Sequence, residues 1–246
     1  MSRKPKQPKP DASPDAPSDA TKPTHIPAGR SRKAWIVLLV TILIALGADL
    51  GSKYLAFEHI ADTPVQLDRE RVLERMAGGI DLNDPHPPDR LIPLHDPVVV
   101  VPSVLEFKLI LNAGAVFGSG QGKRWFFIGF TVVALGFALL LFAKWCDRRE
   151  YIAHVAIGMV IAGGLGNLYD RVMYACVRDF LHPLPDVEWP FGWKIFGRTE
   201  VWPYVSNVAD AFLLIGIAVL MIKLLKDDGG AGEKKAVEKP AKGRVV

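Results

Sequence analysis

Residues 125–143 read WFFIGFTVVALGFALLLFA, nineteen positions without a charge. A helix needs about 20 apolar residues to cross a hydrocarbon core of roughly 30 Å, and in lipid only helices and closed barrels satisfy all of their backbone groups. Working outward, residues 34–46 read AWIVLLVTILIAL, and apolar character continues to Phe57 past Asp49 and Lys53. Residues 151–168 and 208–225 are two further apolar stretches. A chain that is 50% apolar suits a globular domain equally well, so the decision rests on this segregation. It predicts an α-helical integral membrane protein with four transmembrane helices, at about 34–57, 124–143, 151–170 and 207–225.

The basic residues set the expected orientation, because short cytoplasmic segments collect Lys and Arg. Lys4, Lys6, Lys9, Lys22, Arg30, Arg32 and Lys33 precede the first span, Lys144, Arg148 and Arg149 lie between the second and third, and Lys223, Lys226, Lys234, Lys235, Lys239, Lys242 and Arg244 lie at the end of the fourth and beyond it. Both termini are therefore expected in the cytoplasm, with loops 58–123 and 171–206 facing outward. The net charge of +4 and pI near 9.0 reflect that topology, and no nucleic-acid partner is expected. The tail of about 33 residues before the first span, together with Asp49 and Lys53, argues against a cleaved signal peptide. Cys146 and Cys176 fall on opposite sides of the membrane and are not expected to form a disulfide.

Residues 1–33 and 226–246 are rich in Pro, Lys, Asp, Gly and Ala and read as disordered tails flanking a four-span domain at 34–225. In the first outward loop a charged, Pro-punctuated part, 58–96, precedes VVVVPSVLEFKLIL at 98–111. There β-branched content and the alternation of Leu105, Phe107, Leu109 and Leu111 predict extended strand and a small outward sheet. The second outward loop, dense in Trp, Pro and Gly, suits the headgroup layer.

Polar residues inside or beside the spans are costly enough to need a partner or a purpose. Asp49 and Lys53, four apart, share a helix face and are read as an ion pair that locks packing. NAGAVFG at 112–118 reads as a turn of small residues. Span three ends GGLGNLYDR at 163–171, which brings Asn167, Asp170 and Arg171 to one place at the outward end. Asp179 follows eight residues after Arg171, and Asp210 lies three after Asn207, so both carboxylates fall at one membrane face. An ordinary ion pair between Arg178 and Asp179 is one reading. The other is a carboxylate dyad that shares a proton and divides acid and base roles.

Asp49 with Lys53, NAGAVFG at 112–118, GGLGNLYDRV at 163–172, VRDF at 177–180 and NVAD at 207–210 resemble, in order and in placement on four spans, lipoprotein signal peptidase (signal peptidase II). The resemblance covers about residues 34–225. It implies an inner-membrane aspartic endopeptidase that removes the signal peptide of a lipid-modified prolipoprotein just before its diacylglyceryl cysteine. It further implies Asp179 and Asp210 as the catalytic pair, Asn112, Asn167, Arg171 and Asn207 as substrate-binding residues, and Asp49, Lys53 and Asp170 as structural polar residues. No metal or other cofactor is implied; the expected partners are the prolipoprotein and membrane lipid, and the chain is expected to be monomeric. Two positions depart from the family's habit: Ala113, where Thr or Ser is usual, and Ser206, where an aromatic is common. The first outward loop is longer around 61–96.

Other classes fit less well. A transporter would place polar groups at the midplane or break paired helices, and a scaffold would not require both aspartates. A serine mechanism lacks a recognisable partner for His182, and a metal on His182 has little support from a single imidazole beside Pro183.

Overall fold

Ser31 begins the first span: its Oγ accepts a hydrogen bond from the Ala34 amide, and the chain runs helical from Arg32 to His59 as α1. The computed structural model describes residues 25–77, 91–114, 124–195 and 197–237. They also form helices α2 (Arg69–Ala77), α3 (Arg124–Lys144), α4 (Tyr151–Met173) and α5 (Val208–Val237). The strands are β1 (Val98–Val101), β2 (Leu105–Asn112) and β3 (Val177–Pro183). Four of the helices, α1, α3, α4 and α5 as far as Lys226, are long and apolar enough to cross a membrane. With the small sheet, this is the expected architecture.

Helix α4 is central and packs on α1, α3 and α5. Its contact positions are small because helices in lipid associate through close packing more than through hydrophobicity. Gly158 lies against Thr41 and the Leu38 carbonyl, Gly163 against the Ala209 carbonyl and Leu213, and Gly166 against the Asp49 carboxylate; an added Cβ would collide at each. The outer faces remain apolar and uncovered: Leu43 and Ile44 on α1, Val133 on α3 and Leu214 on α5 are each more than half exposed.

The sheet order is β1-β2-β3, antiparallel throughout. Strand β3 corrects the reading of 171–206 as loop only: VRDFLHP has no alternation to mark it, and its strand form comes from pairing with β2, Asn112 opposite Val177 and Ile110 opposite Asp179. Ala175, in the left-handed region at φ 64°, turns the chain from the end of α4 into this strand. Beneath the sheet, Leu109, Leu111, Cys176 and Phe180 pack with Phe57 of α1 and Val72 of α2. The longer loop around 61–96 thus contributes a short helix whose apolar side covers the sheet.

The tails also differ from expectation. Residues 25–33 are ordered: Ala28 N donates to Cys146 O at 2.8 Å, Ile26 N to the Asp147 carboxylate at 2.9 Å, and Arg148 N to Ile26 O at 2.8 Å. The turn after α3 supplies these partners, which composition cannot reveal. Helix α5 continues past 226 to Val237, since extending an existing helix needs no new nucleus. The remaining tail residues, 1–24 and 238–246, lie outside the described residues, as do 78–90 of the long loop and 115–118 of the NAGAVFG turn. Cys146 and Cys176 lie at opposite ends of α4 and are not joined by a disulfide.

Candidate active site

Helix α5 starts with a reciprocal cap. The Asn207 Oδ1 accepts from Asp210 N at 3.1 Å, and the Asp210 Oδ2 accepts from Asn207 N at 3.2 Å. Asp210 is thereby held in the first turn of the helix, where aligned peptide dipoles favour a negative charge. Just before the cap, Ser206 pairs with β3: its carbonyl accepts from Phe180 N at 2.9 Å and Leu181 N at 2.8 Å, and its own N–H donates to Leu181 O at 2.8 Å. This bridge brings Asp179 to the start of α5. Nothing in the sequence signalled it.

Three asparagines connect the two carboxylates. Asn207 Nδ2 donates to Asp179 Oδ1 at 2.6 Å and to Asn167 Oδ1 at 3.1 Å, Asn167 Nδ2 donates to Asp210 Oδ1 at 2.8 Å, and Asn112 Nδ2 donates to Asp179 Oδ2 at 3.1 Å. Asn112 is itself oriented by Gly114 N, which donates to its Oδ1 at 3.0 Å. Arg171 reaches across from α4, donating to Gly114 O at 3.2 Å and Asn167 O at 3.3 Å, with its guanidinium 5.5 Å from the Phe127 ring centre. Asp179 is almost wholly buried. Burial first, then the Asp210 charge, pushes it up to about 8, against the lowering effect of the Asn207 and Asn112 hydrogen bonds.

Below this layer lies a second group of buried charge. The Lys53 ammonium, fully buried, donates to Asp49 Oδ2 at 2.9 Å and to Asn167 Oδ1 at 3.1 Å, and pairs with Asp170 Oδ2 at 3.3 Å. Arg178 donates to Asp170 Oδ1 through Nη2 at 2.8 Å and through Nε at 3.2 Å. Asp49 Oδ1 accepts from Ala209 N at 2.8 Å, tying α1 to α5. Arg178 therefore pairs with Asp170, eight residues earlier, rather than with its neighbour Asp179. His182 is a strand residue rather than a loop residue, and its Nδ1 lies 2.7 Å from Glu106 Oε1.

All nine singled-out residues, Asn112, Asn167, Arg171, Asn207, Asp179, Asp210, Asp49, Lys53 and Asp170, thus lie in one connected network at the sheet end of the helices. Arg178 and Ser206 join the site without having been marked as site residues by the sequence. Arg178 was visible only as a charge beside Asp179, and Ser206 only as a departure from the usual aromatic.

Residues 40–226 match the Peptidase_A8 family, signal peptidase (SPase) II. The lipoprotein signal peptidase of Anaeromyxobacter sp. (strain Fw109-5) is 28% identical over 201 residues, 79% of this chain and 87% of that one. That of Geobacter metallireducens is 33% identical over 143 residues, 57% of this chain and 80% of the other. Among solved structures, a bacterial membrane enzyme determined by the in meso method at 2.3 Å resolution superposes with TM-score 0.53 at 23% identity, covering 90% of this chain and 99% of that one. A second bacterial membrane enzyme, at 1.9 Å resolution, gives TM-score 0.50 at 26% identity over 79% and 94%. The chain is a multi-pass membrane protein that belongs to the signal peptidase II family of proteases.

Proposed function

We propose that the protein is an aspartic endopeptidase that removes the signal peptide of a lipid-modified prolipoprotein, cutting immediately before the diacylglyceryl cysteine, with Asp179 and Asp210 as its catalytic pair. The observation that carries this reading is that Asn207 hydrogen-bonds both carboxylates at once, Asp179 through Nδ2 and Asp210 through its backbone N–H. Two carboxylates joined in this way hold one proton between them at neutral pH and titrate as a unit.

In the reaction, ionised Asp210 takes a proton from a water whose oxygen bonds to the scissile carbonyl carbon, and Asp179 gives its proton to the carbonyl oxygen, forming a neutral gem-diol. Collapse returns a gem-diol hydroxyl proton to Asp179, passes the proton on Asp210 to the leaving nitrogen and breaks the C–N bond. The step needs no metal and no acyl-enzyme. Asn112, Asn167, Asn207 and Arg171 hold the carboxylates and the substrate backbone in register.

The site belongs at the outward face of the bacterial inner membrane, with both termini in the cytoplasm. Arg30, Arg32, Lys33, Lys144, Arg148, Arg149 and Lys226 are exposed at the end opposite the site, which is the arrangement of cytoplasmic ends. The exposed apolar faces of α1, α3 and α5 suit membrane lipid and the lipid chains of the substrate, and the enzyme acts as a monomer.

Asp179→Asn and Asp210→Asn, made separately and assayed on lipidated prolipoprotein, should each lower cleavage by roughly 100-fold or more while the protein remains inserted and folded. Near-normal cleavage by either variant overturns the assignment.

A further inference from the structure

A lysine ammonium can only donate hydrogen bonds, so whatever it touches must present an acceptor. Lys53 Nζ lies 3.1 Å from Asn167 Oδ1, which commits the amide of Asn167: its oxygen faces α1 and its NH₂ faces Asp210. Asn207 Nδ2 donates to the same oxygen, and the orientation of Asn207 is set in turn by the Asp210 backbone N–H. We infer that Lys53 is a positioning residue for the reaction: by locking the Asn167 amide it keeps an N–H donor directed at Asp210 and so holds Asp210 as the base of the pair. This rests on the dyad reading above and deepens it, because it gives the buried Lys53–Asp49 pair a role in turnover as well as in packing.

Removing the ammonium leaves Asn167 Oδ1 with one neutral donor in place of a charged one, and charge-assisted hydrogen bonds are about twice as strong. The amide can then turn over, presenting its oxygen to Asp210, where it disfavours the ionised form that the reaction needs. Among the described residues, the charged groups around Asn167 and Asp210 are Asp49 and Lys53 on α1, Asp170 and Arg171 on α4, and Arg178 and Asp179 on β3. Four of these, Asp49, Lys53, Asp170 and Arg178, cancel formally in charge, so they can be removed in neutral pairs.

The test is therefore the charge-balanced double variant Lys53→Met/Asp49→Asn. Its kcat should fall at least tenfold with KM within about twofold of wild type, and the acid limb of its kcat profile should move to higher pH. The matching double variant Asp170→Asn/Arg178→Met removes an equally buried pair without freeing the Asn167 amide, and its acid limb should stay where it is in wild type. Equal pH profiles for the two variants, or an unmoved acid limb in the Lys53 variant, would overturn the inference. Should the Lys53 variant fail to fold, wild-type enzyme with ζ-¹⁵N-lysine provides the answer. The Lys53 signal should shift with the midpoint of the dyad's own titration, and a signal indifferent to that titration refutes the coupling. Active Asp179→Asn or Asp210→Asn enzyme would instead remove the dyad reading itself, an outcome distinct from either of these.

Discussion

Two groups of buried charge adjoin each other in this molecule and are built on opposite rules. In the lower group, Asp49, Lys53, Asp170 and Arg178, each anion meets a cation at 3.3 Å or less. In the upper one, Asp179 and Asp210 have neutral amides as their direct hydrogen-bond donors: Asn207 for both, Asn112 for Asp179 and Asn167 for Asp210. The lower group joins α1, α4, β3 and α5 and sets each of its charges beside an opposite one. The upper group cannot ionise both members cheaply, and the acid and base roles proposed for it would draw on that imbalance. Among the described residues, Asn167 is the side chain bonded to both groups.

Disturbing the balance of the lower group should have the largest effect on stability. Lys53→Met alone leaves two buried carboxylates against one arginine and should cost about 3–5 kcal/mol, measured by thermal or denaturant unfolding in detergent. The double variant with Asp49→Asn should recover most of that loss. Gly166→Ala comes next: the added Cβ meets the Asp49 carboxylate, so a loss of about 1–3 kcal/mol is expected, with cleavage falling alongside stability. A control far from both groups sets the lower bound. Glu150 and Lys223 pair at 2.9 Å but are each about a third exposed, and Glu150→Gln should cost less than about 1 kcal/mol with cleavage unchanged.

Much of this contrast could be read in the linear chain and some could not, for physical reasons. Apolar run lengths placed four helices, and the i to i+4 spacing of Asp49 and Lys53 implied their pair, because both follow from local geometry. The cap joining Asn207 and Asp210 is local too. Arg178 was misleading because adjacency suggested Asp179, whereas alternation along β3 sends neighbouring side chains to opposite faces and delivers Arg178 to Asp170. The link from Ser206 to Leu181, which brings Asp179 to the start of α5, joins residues 25 apart mainly through a pair of backbone hydrogen bonds. Backbone groups carry no residue signature. Helix α2 and the segment at 25–30 carry no such local mark either, since α2 rests on the distant sheet and the segment on the turn after α3.

Whether Asp179 and Asp210 share one proton at neutral pH can be read by titrating the Asp179 carboxyl carbon by ¹³C NMR. Its pKa in the fold stands at about 8 against 3.8 for an ordinary aspartate, so the protonated form is the favoured one. The stability it contributes is complete below about pH 4 and is lost as pH rises through about 8. A shared proton requires a midpoint near 8 that coincides with the alkaline limb of cleavage and that falls in Asp210→Asn, where only burial still raises it. A midpoint near 4 in the wild-type enzyme would contradict it.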